Sequence, residues 1–266
     1  MRAWQVGIDV EKKVVSYTDK HQLLVDTSTD KNPFVQSVAG TEVISVFRRR
    51  KGTSHTGDGN PLIYALKRMF KFRISAEQIV EFMPNLRFVL ERVMAHRAYD
   101  LIIALPSSHP IASGLARRAG RLQPATPISY EFFAKCCNAE VAEALKKLIS
   151  DGQIPTRYRR DITSLIHTLS SSPDAPFKLK EVENHLRGFT FPFKINENIN
   201  VQGLSVLVVD DLLSSGTSIQ TASRLLIASG ADKVSALCLL SSLDKGRLWN
   251  DVMLDLSSDV SVDVVG

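Results

Sequence analysis

The sequence predicts an α/β fold: a mostly parallel sheet with helices on both faces. Three observations carry this. Nearly continuous aliphatic runs recur at residues 100–105 (DLIIAL), 204–210 (LSVLVVD) and 233–240 (KVSALCLL), and strands without polar alternation are buried on both faces, as in parallel sheets. Helix-compatible stretches separate the runs, giving the strand–helix alternation of α/β domains. Two of the runs end in short serine-rich loops, PSSHP and DDLLSSGTS, at the strand ends where ligands bind in such sheets.

Taken in order, the first 47 residues hold short β-like runs, WQVGIDV, KVVSYT, QLLVDT and EVISVF, separated by polar breaks. Pro61 is placed to open a helix through LIYALKRMF, and a second helical period covers about 75–95. After DLIIAL and PSSHP comes a helix, IASGLARRAGRL, and residues 130–149 read as helical again. Residues 151–200 are polar and rich in Ser, Pro and Arg, with FTFPFKI as their one clear β signal. A helix over about 217–229 is ended by Gly230. The organisation expected is a β-rich, basic N-terminal extension over residues 1–75 and an α/β domain over 76–266, with a helical insertion at about 130–200.

Apolar residues make up 44% and charged residues 23% of 266, the balance of an ordinary globular protein. The N-terminus carries charges where a signal peptide needs an apolar core, and no stretch approaches 18 uninterrupted apolar residues. A cytoplasmic protein with no membrane association is therefore expected. Three cysteines, Cys136, Cys137 and Cys238, fit neither a disulfide framework nor a zinc spacing. The net charge of +5 suits an anionic small molecule or nucleic acid. Arg48, Arg49, Arg50 and Lys51 head a basic cluster that includes Lys67, Arg68, Lys71 and Arg73, a candidate nucleic-acid contact whose bland alternative is a solvated face.

The densest chemistry lies in VLVVDDLLSSGTS, residues 206–218. Adjacent carboxylates repel at the end of a buried strand unless a cation, a metal or several hydroxyl donors attend them. A sugar diol with magnesium supplies these for Asp210 and Asp211. The loop of Ser214, Ser215, Gly216, Thr217 and Ser218 then enters a helix whose free N–H groups favour a phosphate. A ribose 5-phosphate satisfies both halves. Two other readings are weaker. A receiver domain needs about 100 residues after its acidic pair and only 55 follow Asp211; no Walker loop follows a strand. An ordinary turn with two solvated aspartates is the bland reading.

These residues also resemble a known family. VLVVDDLLSSGTS resembles the phosphoribosyl-diphosphate (PRPP) signature of type I phosphoribosyltransferases, and DLIIALPSSHPIASGLARRAG is similar to the earlier strand, pyrophosphate loop and helix of that fold. HLRGFTFPFKINENINVQGLSVLVVDD resembles the approach to the signature in the branch related to bacterial DNA-uptake proteins. The resemblance covers about residues 95–245. It implies transfer of ribose 5-phosphate from PRPP, with Mg2+, to a nitrogen acceptor, or the reverse pyrophosphorolysis of a nucleotide. It implies that Asp210 and Asp211 serve catalysis by holding the ribose hydroxyls, with the metal reached through those hydroxyls or water. It further implies that the 214–218 loop binds the 5-phosphate, that Ser107 and Ser108 meet the pyrophosphate, and that the protein is a homodimer. The chain departs from the family at PSSHP, where His109 and Pro110 replace a basic residue or glycines. No mobile basic loop aligns, which leaves Arg157, Arg159, Arg160 and Arg187 as candidates. The alternative is a non-catalytic module that senses PRPP or a nucleotide and contacts a nucleic acid or protein partner, in regulation, DNA uptake or prokaryotic defence.

Overall fold

A computed structural model describes residues 5–18, 23–50, 60–196, 199–243 and 245–253. Five strands come first: β1 (Gln5–Asp9), β2 (Val14–Thr18), β3 (Leu23–Asp26), β4 (Phe34–Val38) and β5 (Thr41–Arg49). Then follow α1 (Asn60–Leu66), α2 (Ala76–Ala95), β6 (Leu101–Ala104), α3 (Ile111–Leu122), β7 (Ile128–Ser129) and β8 (Phe133–Lys135). The rest comprises α4 (Asn138–Ser150), α5 (Thr156–Ser170), β9 (Phe193–Ile195), β10 (Ser205–Leu212), α6 (Thr217–Ala228), β11 (Lys233–Leu240) and β12 (Arg247–Leu248).

The centre of the large sheet runs β5-β11-β10-β6-β7, with every neighbouring pair parallel. The expected β-rich N-terminal region is present, and its last strand is built into this parallel core. One edge of β5 pairs with β11; the other is shared by β4 and β3, both antiparallel. The antiparallel β2-β1-β3 ribbon continues the sheet beyond it.

Side chains alternate across β10, so its aliphatic run feeds two cores at once. Leu207 and Val209 pack with Val89, Leu90 and Val93 of α2 and Leu115 and Ala116 of α3 on one face. Val206 and Val208 pack with Ile219, Ala222 and Leu226 of α6, and with Phe132, Phe133 and Phe193, on the other. Helices thus cover both faces, as the uninterrupted strands require. A third cluster is separate from the sheet: Val141 and Leu145 of α4 meet Ile162 and Leu169 of α5, closed by Phe177, Val182 and Leu186.

Three local readings of the sequence need correction. Residues 130–137 are not helical: Phe132 and Phe133 are both buried, and β8 pairs antiparallel with β9. The helix begins at Asn138, where the Glu140 carboxylate accepts the Cys137 N–H at 2.8 Å, a capping arrangement that fixes the start. The segment 151–200 contains a full helix, α5. Its buried Ile162 and Leu169, with Tyr158, Leu165 and Ile166 packed beside them, form a helical stripe that the surrounding charged and hydroxyl residues obscure. β4 also lies outside the expected runs, because Gln36 interrupts its apolar pattern; that amide is buried and donates to Ser242 Oγ at 2.7 Å.

Among the described residues, no helix is long and apolar enough to cross a membrane. All three cysteines are free. Burial, with the Glu140 carboxylate nearby, pushes the Cys136 thiol up to about 11, so it stays a packed, unreactive group.

Leu145 is fully buried between α4 and α5. Leu145→Ala should therefore lower unfolding free energy by about 2–5 kcal/mol, measured by urea denaturation followed by circular dichroism.

Candidate functional site

Parallel pairing places the carboxyl ends of β5, β11, β10 and β6 along one rim of the sheet. Both predicted loops leave from that rim. The β10 strand continues through the acidic pair to Leu212, and Leu213 N–H still bonds the Leu240 carbonyl at 2.9 Å.

Alternation separates the two carboxylates. Asp211 follows Leu207 and Val209 to the α1–α2 face, where it pairs with Lys67, just past the end of α1. Both partners are largely buried, with side chains 16% and 10% exposed. Asp210 follows Val206 and Val208 to the α6 face and lines a cavity of about 160 Å3. Burial, reinforced by the Asp211 carboxylate beside it, raises the Asp210 carboxyl to about 7, although it accepts the Asp211 N–H at 2.8 Å and Lys67 and Lys135 lie within electrostatic reach. Asp210 is thus poised between acid and carboxylate near neutral pH. Its register neighbour on β11, Cys238, has its thiol pushed up by burial and by the same two carboxylates, so it packs rather than reacts.

The rest of that cavity is built from Ser214, Ser215, Gly216, Thr217 and Ser218. Gly216 is required twice over. Its φ of +77° lies in the left-handed region, and a Cβ there would come within 2.6 Å of Val38 Cγ1. The glycine lets the chain turn directly into α6, whose first intrahelical bond in the ladder is Gln220 N–H to the Gly216 carbonyl at 2.8 Å. The amides of Thr217, Ser218 and Ile219 precede it and face the positive end of the helix dipole. The hydroxyls of Ser215 and Thr217 lie 3.1 Å apart.

The opposite wall comes from the two 3-10 turns, Leu179–Glu181 and Arg187–Phe189, that follow α5. They contribute Lys180 and Arg187. Arg187 donates to the Val182 carbonyl at 2.9 Å and to the Lys180 carbonyl at 3.3 Å, so it braces the turn that carries the other cation. Of the four candidate arginines, only Arg187 reaches the cavity. Arg157 lies 4.7 Å over the Tyr158 ring and Arg159 donates to the Ile154 carbonyl at 3.4 Å. Lys180 had no sequence signal, lying in a stretch with no readable period. Lys67 was visible only as one member of a basic cluster.

Ser107 and Ser108 sit on the loop after β6, tied to β10 by Leu105 N–H and the Val209 carbonyl at 2.9 Å. They lie outside the cavity lining; Ser107 Oγ accepts the His109 N–H at 3.3 Å. The basic cluster at the end of β5 is largely engaged within the protein. Arg48 lies over Phe34 at 4.7 Å, Arg49 is buried against Asn60, and Arg50 pairs with the buried Asp26 carboxylate. Lys51 is outside the described residues. Trp249 is buried against His96 and Arg97 and so is a packing residue.

The electrostatics lead to two expectations. Lys67→Met strands the Asp211 charge and should cost about 3–5 kcal/mol, whereas adding Asp211→Leu should recover most of that loss; urea titrations of both variants check this. Asp210 keeps its proton to about 7 when folded, while an unfolded aspartate loses it near ~3.9. Between those values the folded state binds more protons, so stability falls as pH rises. Asp210→Asn stays neutral and should melt higher than wild type at pH 8, the gap closing toward pH 4, by thermal unfolding across that range.

Comparison with known proteins bears on the same part of the chain. No curated protein matches. Among solved structures, this chain is similar to a purine phosphoribosyltransferase from Pyrococcus horikoshii, with 11% identity and a TM-score of 0.35 over 63% of this chain and 84% of that one. It is also similar to the protein TT1426 from Thermus thermophilus, with 13% identity and a TM-score of 0.32 over 62% and 92%. The family model of the phosphoribosyl transferase domain matches residues 162–266. The part of the chain that holds β10, the serine loop, α6 and β11 thus falls within the stretch that this family model matches.

Proposed function

We propose that this protein binds PRPP and transfers its ribose 5-phosphate to a nitrogen acceptor. The observation that carries this reading is one cavity in which a titratable aspartate, a serine–glycine–threonine loop at a helix N-terminus and two cations converge. The 5-phosphate lies on the free amides of α6 and the hydroxyls of the 214–218 loop, where helix dipole and donors act together. The ribose hydroxyls donate to Asp210. Asp211, held by Lys67, fixes the strand end from the opposite face and so positions its neighbour.

The cavity accommodates the ribose phosphate end, and the pyrophosphate extends toward the β6 loop with Ser107 and Ser108. The acceptor nitrogen attacks the anomeric carbon as the bond to pyrophosphate breaks, through an oxocarbenium-like state; the electron pair leaves with pyrophosphate. Lys180 and Arg187 offset the anionic charge, and the fixed loop holds the sugar in line for attack. Asp210 as a carboxylate favours the positive charge that develops on the ring.

Among the described residues, no group of three His, Cys, Asp or Glu side chains is placed to hold a metal by itself. Magnesium keeps several waters and accepts few protein ligands when it accompanies phosphates. Asp210 therefore fits an ion that rests mainly on the ligand's own oxygens, reached directly or through water. Bound there, magnesium would neutralise the leaving pyrophosphate.

Calorimetry with PRPP and Mg2+ tests the reading. Wild type should bind and release protons near pH 7, seen as an enthalpy that depends on buffer ionisation, because hydroxyl donors favour the charged form of Asp210. Asp210→Asn should weaken binding at least tenfold, the scale of a charged hydrogen bond, and abolish the proton release. A folded wild type that does not bind would overturn the proposal; binding without turnover across acceptor bases would make the site a sensor.

A further inference from the structure

A second cavity, of about 850 Å3, opens between the β1–β2 turn and the segment joining α1 to α2. Lys12 and Lys13 reach it from the turn; Arg68, Lys71 and Arg73 reach it from the segment; among the described residues no acidic side chain lines it. Its floor is apolar, with Leu66, Phe72, Ile74 and Ile79. Lys13 lies 4.6 Å over the Phe72 ring, and Lys12 has Asp9 at 3.6 Å on a mostly exposed side chain. Arg68, Lys71 and Arg73 are exposed, and among the described residues none of them has an acidic partner. Nearby Glu77 is turned to the Ser75 hydroxyl at the start of α2. These cations differ from Arg48, Arg49 and Arg50, which the fold itself engages.

The segment is wound tightly. Arg68, Phe70 and Lys71 have φ of 53°, 53° and 65°, a region non-glycine residues seldom occupy. Backbone bonds hold it there: Met69 N–H to the Tyr64 carbonyl at 2.7 Å, Arg73 N–H to the Lys13 carbonyl at 2.9 Å, and Val15 N–H to the Arg73 carbonyl at 2.8 Å. The winding turns Phe70 outward, 62% exposed and edge-on to Tyr64 at 4.9 Å, outside the cavity lining but next to Lys71 in the chain. Cations gathered on one concavity, of which Lys12 alone has a carboxylate partner among the described residues, repel one another, and a polyanion relieves that repulsion.

We propose that this cavity binds a short single-stranded oligonucleotide, with phosphates against Lys12, Arg68, Lys71 and Arg73 and one base stacked on Phe70. Cations placed on two facing elements suit several phosphates rather than one. A single strand bends into a concavity and presents unstacked bases to an aromatic ring, whereas the rigid convex surface of a duplex does not enter it.

The test is fluorescence anisotropy with a labelled oligothymidylate of about 12 nucleotides, within the ~4–16-nucleotide range of such sites. Wild type should bind, with log affinity falling linearly against log salt. Lys71→Glu combined with Arg73→Glu should reduce affinity tenfold or more. Phe70→Ala should reduce it roughly 5- to 100-fold, the scale of one lost stack. Phe70 is exposed, and melting curves of both variants confirm folding. No binding by folded wild type, or variants that bind like wild type, would overturn the proposal. So would a blunt duplex that binds as tightly as the single strand with Phe70→Ala silent. PRPP binding at the first cavity is read separately, so failure of either proposal leaves the other standing.

Discussion

The arrangement depends on how the chain places two adjacent carboxylates at the end of a strand packed on both faces. Both on one face would repel in a medium of low dielectric. The pleat of β10 sends them to opposite faces instead. Asp211 is then compensated by Lys67, while Asp210 is left with burial as its dominant influence and an elevated pKa as the result. One carboxylate is neutralised within the fold and the other lines the cavity, although they occupy neighbouring positions in sequence.

That division explains why the site is assembled from distant parts of the chain. Lys67 follows α1, Lys180 and Arg187 come from the turns after α5, and Val38 of β4 confines the glycine that opens α6. A parallel sheet brings strand ends to one rim irrespective of sequence separation, and long crossovers supply the walls. Lys67 also adjoins Arg68, so the buried ion pair at the sheet rim and the basic cavity lie one residue apart along the backbone.

Much of this was legible in the residues. Continuous aliphatic strands identified β6, β10 and β11, because burial on both faces leaves no polar alternation to confuse them. The 206–218 stretch identified the loop and Asp210, because its chemistry is local: a strand end, a glycine and hydroxyls in succession. The equivalence assumed for Asp210 and Asp211 was the point at which local reading ran out, since nothing in two consecutive aspartates reveals which face holds a lysine. α5 was foreseen only as part of a broad helical insertion, because its apolar stripe is set among charged and hydroxyl residues, and β4 was hidden because its interruption, Gln36, finds a partner 206 residues away at Ser242. Lys180 was hidden because a cation on an irregular turn carries no period.

The same wiring sets the limits of the chain as a divisible object. The stretch matched by the phosphoribosyl transferase domain begins at residue 162, yet both strands flanking the β10–β11 pair, β6 and β5, lie before it. A fragment cut at that point would expose two long aliphatic edges with unpaired N–H and C=O groups, the geometry that seeds strand addition and aggregation. It would also lose Lys67 and leave Asp211 uncompensated. Proteolysis or truncation there would therefore yield an association-prone remnant rather than a smaller working module, and the N-terminal half is as much a condition of solubility as of shape.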